Sequence, residues 1–118
     1  MYVLIEHYED LKNKKDVILE MSEDYNTLYD HMLKLSFNVC GRTYYEFYGR
    51  PLTYEDFLQY VDGTLKCVIF RAHRQKISTT SRNSNHSFRI DKVKLVHPEQ
   101  PDDSPCSDRL KDLIGQSE

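Results

Sequence analysis

Apolar positions recur with two different periods along this chain. At the start, Val3 and Ile5 share one face of an extended segment, Tyr2 to Tyr8, while Tyr2, Leu4, Glu6 and Tyr8 share the other. Apolar side chains on both faces predict a strand inside a sheet. A polar, lysine-rich turn (Asp10–Asp16) then leads to Val17, Ile18 and Leu19, a second strand that closes an antiparallel hairpin by Met21. From Glu23 the period lengthens: Tyr25, Leu28, Tyr29, Met32 and Leu35 share one helical stripe, opposite Asn26, Thr27, Asp30, His31 and Lys34. Ser22 and Asp24 are both suitable N-caps. Asn38 or Gly41 is expected to end this helix near Ser36, and Tyr44–Tyr48 reads as a short strand or an ordered loop.

The stretch Thr53–Arg74 carries the clearest signals. Thr53 and Asp56 form a capping box with Asp in place of Glu, and Tyr54, Phe57, Leu58 and Val61 follow at helical spacing. Gly63 stands where a left-handed C-cap residue belongs. The run Leu65–Phe70 then predicts a buried strand. Ser78–Ser87 contains no apolar side chain and predicts an exposed loop. Phe88, Ile90, Val93, Leu95 and Val96 predict a last strand, bulged at Asp91-Lys92 where the alternation slips.

This order predicts an α+β domain over residues 1–97. Its expected form is a small antiparallel sheet of four or five strands with two helices on one face. Residues 98–118, with Pro98, Pro101 and Pro105 among acids and serines, have the composition of a flexible acidic tail. Leu110, Leu113 and Ile114 would share one side of a short terminal helix capped by Ser107.

Composition narrows the class. The 118 residues suit one domain, and 39% hydrophobic with 30% charged residues is ordinary for a water-soluble fold. The longest strictly apolar runs, Met1–Ile5 and Cys67–Phe70, fall far below the roughly 18 residues of a membrane span, so no membrane partner is expected. The first residues lack a basic stretch and carry Glu6, and Cys40, Cys67 and Cys106, odd in number and widely spaced, fit a reducing compartment better than a disulfide framework. An intracellular protein, cytoplasmic or nuclear, is the expectation.

Charge is unevenly placed. Residues 1–70 carry seven Lys/Arg against twelve Asp/Glu, and residues 98–118 carry two against six. Between them, residues 71–97 carry Arg71, Arg74, Lys76, Arg82, Arg89, Lys92 and Lys94 against the single Asp91. If the strands around the Ser78–Ser87 loop pair, they form a basic hairpin. Arg71 and His73 would share one of its faces, with Arg74 and Lys76 on the other.

Candidate chemistry is sparse. No Cys or His pair has the spacing of a zinc site, no glycine-rich loop cradles phosphate, and no nucleophile elbow or deaminase signature is present. His7 reads as a satisfied sheet histidine and His31 as a solvent-exposed one. Cys40, with only Arg42 nearby to lower its pKa, reads as inert. Asn85-His86-Ser87 fits a glycosylation acceptor but, without a secretory route, marks only an exposed loop.

The expected function is that of a small non-enzymatic binding protein that makes protein–protein contacts without metal or cofactor. Its expected contact surfaces are the basic segment 71–94 and the tail segment with Leu110, Leu113 and Ile114. The alternative is a nucleic-acid-binding module whose seven cations meet phosphates. Against it, only Phe70 and Phe88 supply aromatic rings there, and both have core spacing. The plainer account of the cations is that they solvate a sheet edge or pair with the acidic body.

Overall fold

A computed structural model describes residues 1–94. The tail, the proposed contacts at Leu110, Leu113 and Ile114, and the Leu95–Val96 end of the last predicted strand lie outside the described residues.

The elements run β1 (Tyr2–Asp10), β2 (Lys14–Ser22), α1 (Tyr25–Tyr48), α2 (Tyr54–Asp62), β3 (Phe70–His73), β4 (Lys76–Thr80) and β5 (Ser84–Lys92). The strands form one antiparallel sheet in the order β2-β1-β5-β4-β3, so β1 is internal, as its two apolar faces require. Among the described residues the fold is α+β, with five strands and two helices.

Residues opposite one another in adjacent strands share a face. Leu4 lies opposite Ile90, Phe88 opposite Ile77, and Phe70 opposite Thr79. This set, with the buried Leu28, Met32, Val39, Cys40 and Tyr44 of α1 and Phe57 of α2, is the core. α1 lies over β1, β2, β4 and β5, whereas α2 packs on β3 and α1. Both helices therefore cover the Leu4 face.

α2 follows its sequence signals. The Thr53 hydroxyl accepts the Asp56 N–H at 3.2 Å, Phe57 is buried, and Gly63 caps the end at φ 84°. Leu58 and Val61 are half-buried. The same cap overturns the predicted strand at Leu65. The Gln59 carbonyl accepts the N–H groups of Thr64 (2.9 Å) and Leu65 (3.1 Å), so those amides are not available to a ladder. The chain stays a loop until Phe70, and Val68 is 92% exposed.

α1 corrects the expected helix end. It continues through Asn38 and Gly41 and absorbs Tyr44–Tyr48, because Ser36, Val39, Cys40, Thr43 and Tyr44 extend the buried stripe begun by Leu28 and Met32. Gly49, at φ 70°, ends it and donates its N–H to the Tyr45 carbonyl at 2.8 Å.

The predicted Ser78–Ser87 loop is mostly strand. β4 fills the gap between β3 and β5, burying Ile77 and Thr79, and only residues 81–83 turn. β5 begins at Ser84, so Asn85-His86-Ser87 lies within a ladder, and its Ser87 is buried. Register is continuous at Asp91-Lys92. The bulge sits instead in β2, where Leu4 faces Glu20 and Ile5 faces Ile18, leaving Leu19 without a partner. That bulge and the exposed Lys14 and Lys15 protect the outer edge of β2 from pairing with another strand.

Candidate interaction surface

With both helices on the Leu4 face, the other face of the sheet has no covering layer among the described residues. Strand alternation places two rows of side chains across it. One row runs Ile18, Ile5, Arg89, Lys76, His73 from β2 to β3, and the next runs Asp16, His7, Ser87, Ser78, Arg71. Met21, opposite Val3, extends the apolar end. The face is polarised: its aliphatic side chains, Ile18, Ile5 and Met21, lie on β2 and β1 beside Asp16 and His7, and Lys76, His73 and Arg71 lie on β4 and β3. Ile18 is 63% exposed and Met21 52%, large values for side chains of this kind.

A bonded cluster runs beside the apolar row, from Asp16 of β2 through His7 of β1 to Arg89 of β5. His7 Nδ1 meets Asp16 Oδ1 at 2.5 Å, and His7 Nε2 meets Glu9 Oε1 at 3.1 Å. Arg89 donates to Asp91 at 3.2 Å and to Asp16 at 3.5 Å. The hydrogen bond from His7, with help from Arg89, holds the Asp16 carboxyl below its ordinary value of 3.8, against a smaller opposing effect of burial. His7 is thus a satisfied histidine, as its spacing predicts. His31 is not simply solvated: its Nδ1 lies 2.6 Å from Glu20 Oε1, joining α1 to β2.

The seven cations singled out in the sequence do not form one surface. Arg71, Lys76 and Arg89 share the open face. Lys76 joins Arg71, against the sequence expectation, because the chain reverses at Arg74-Gln75 and brings Lys76 opposite His73. Arg74 lies in that turn, where its carbonyl accepts the Tyr25 hydroxyl at 3.3 Å. Lys92 and Lys94 are at the same end of the sheet, with Lys92 opposite Tyr2 and so on the helix-facing side. Arg82 stands at the far end of the β4–β5 hairpin, beside Glu46 and Phe47. Within the described residues Arg89 alone of the seven has an ion-pair partner. Ile5, Ile18 and Met21 were not candidates on sequence grounds. Their signal is the period-two pattern of the first hairpin, which shows a second apolar face without showing that nothing covers it.

Two other concavities deserve comparison. A groove of about 500 Å³ runs past Phe37, Gly41, Tyr45, Pro51 and Leu52 on the outer side of α1. A polar recess of about 120 Å³ lies between α1 and the sheet, lined by Thr43, Thr79, Ser81, Ser84 and His86. His86 Nε2 there meets Glu6 Oε2 at 2.6 Å, and the buried Thr79 hydroxyl has no partner among the described residues. The recess has space for only a few water molecules. No group of three or more His, Cys, Asp or Glu that could hold a metal gathers among the described residues, and no described helix is long and apolar enough to cross a membrane. Comparison of the chain with protein-family models, with curated proteins and with solved structures finds no match.

Proposed function

We propose that this chain is a small non-enzymatic protein-binding module and that the uncovered face of its sheet is the contact surface. One observation carries the reading: exposed Ile18 and Met21 on β2 and the cations Lys76 and Arg71 on β4 and β3 share one face of the sheet, with Ile5 and Arg89 between them. Protein interfaces combine an apolar centre that excludes water with a polar rim that sets orientation, and this face has both parts. The bulge and lysines of β2 disfavour strand addition at that edge of the sheet.

The nucleic-acid reading is weaker. Single-strand binders stack bases on aromatic rings, and among the described residues the open face carries no Phe or Tyr between its cations. Arg89 is occupied by two carboxylates, and Arg82 and Lys92 point their charge elsewhere.

The test is affinity capture from a cell extract with wild type, Ile18→Asp and, as a helix-side control, Tyr45→Asp, followed by identification of what each retains. All three should melt alike, since both positions are more than half exposed. Proteins held by wild type and by Tyr45→Asp but lost from Ile18→Asp support the reading. A parallel titration with labelled oligonucleotides at about 50 mM salt should show no binding. Salt-sensitive binding abolished by combining Arg74→Glu, Lys76→Glu and Arg82→Glu would replace the protein reading with the nucleic-acid one.

A further inference from the structure

The chain itself contains a segment that matches the open face in chemistry. Residues 98–118 carry six acids against two bases, and they carry Leu110, Leu113 and Ile114. The open face offers the complement: Arg71 and Lys76 on β3 and β4, without ion-pair partners among the described residues, and exposed Ile18 and Met21 on β2, across β1 and β5 on the same face. We propose that the segment 98–118 binds this face of its own domain and so competes with an external partner. The proposal rests on the reading of the open face as a binding surface.

Position and charge both favour it. The chain leaves the described structure just after β5, the middle strand, where the Val93 N–H donates to the Met1 carbonyl at 2.9 Å. From Lys94, the dozen residues up to Cys106 can span about 40 Å when extended. Crossing all five strands takes only about 19 Å. Reach alone would also allow the helix side. The helical layer, residues 24–62, carries six acids against three bases, so it repels the segment that the open face attracts. Leu110, Leu113 and Ile114 would lie over Ile18, Ile5 and Met21, with Asp102, Asp103 and Asp108 toward Lys76 and Arg71.

Cys106 supplies the probe. In the full chain carrying Cys67→Ser, with Cys40 buried, a nitroxide attached at Cys106 broadens the methyl signals of whatever it visits. At low salt the Ile5, Ile18 and Met21 methyls should broaden while those of Leu33 and Leu58, on the helix side, stay sharp. Raising salt to about 0.5 M, where charges are screened beyond a few Å, should restore them, as should the double variant Arg71→Glu with Lys76→Glu. No broadening, equal broadening on both sides, or broadening indifferent to the charge reversal would overturn the proposal. So would broadening seen only when spin-labelled chains are mixed with isotope-labelled ones, which would assign the face to a second copy. If capture through Ile18 persists without broadening, the intrachain proposal alone falls. If both fail, the open face is not a binding surface.

Discussion

Asp16 of β2 reaches Arg89 of β5 across the intervening strand β1, and His7 of β1 holds the other oxygen of the same carboxylate. Three strands are thereby tied together on the side of the sheet that no helix covers. The carboxylate also neutralises Arg89, which leaves Lys76 and Arg71 as the cations a ligand meets over β4 and β3. Asp16 thus anchors, from the edge strand β2, an ion cluster that crosses the apolar side of the face to Arg89 of β5.

That carboxylate should make stability depend on pH in a definite direction. Its folded-state pKa is lowered, so its contribution is fully present above the ordinary value of 3.8 and is lost as pH falls through the lower folded value. Wild type should exceed Asp16→Asn in urea midpoint at about pH 6, and the two should converge by about pH 2.5. A gap that does not change with pH would mean that the ion cluster does not act through the charge of Asp16.

Phe57 is 1% exposed and lies against Phe37 at a ring separation of 5.5 Å. Phe57→Ala should cost about 3–5 kcal/mol through lost transfer energy and the cavity left behind, a large share of a small domain's stability. A melting temperature lowered by only a degree or two would show that the cavity collapses or that Phe57 is not core.

Burial pushes the Cys40 thiol up to about 12. Almost no thiolate is then present at about pH 8, and thiolate is the reactive form. Iodoacetamide followed by peptide mapping should modify the half-exposed Cys67 in the native protein and Cys40 only in denaturant. Native labelling of Cys40 at a comparable rate would contradict its buried position.

Gly49 ends α1 in the left-handed region at φ 70°. An added Cβ meets nothing within 4 Å, so Gly49→Ala should isolate the backbone cost, about 1–2 kcal/mol. Gly41 also has open space around its Cβ position but lies within the helix, so Gly41→Ala should stabilise by up to about 1 kcal/mol. Opposite signs in the two denaturation midpoints are the expected result. Equal signs would place the end of α1 elsewhere.

How much could be read in advance depended on where the deciding physics lay. The cap residues of α2 bond within a few positions of themselves, so Thr53, Asp56 and Gly63 announced both ends of that helix. β4 had no such local signal: Ser78, Thr79 and Thr80 become strand because β3 and β5 stand on either side to receive their backbone bonds. The sequence predicts too short an α1 because Asn38 and Gly41 resemble a helix end and the polar Ser36 and Thr43 interrupt a stripe that the packing continues. The charge run 71–94 was visible, but its distribution over three locations follows from a two-residue reversal at Arg74-Gln75. The apolar half of the open face was hidden for a different reason. Alternation shows which residues share a face, and only tertiary structure shows whether a layer covers it.

The sheet order has a consequence for how the protein is made. β1 pairs on one side with β2, which follows it at once, and on the other with β5, some eighty residues later in the chain. During synthesis the first hairpin must therefore emerge and wait, one side of β1 unpaired, until nearly all of the described domain has left the ribosome. Contacts of such long separation slow folding, and an unpaired strand edge is open to wrong partners in the meantime. The vulnerable moment for this fold comes before its last strand arrives, and a pause in translation ahead of Ser84 would prolong it.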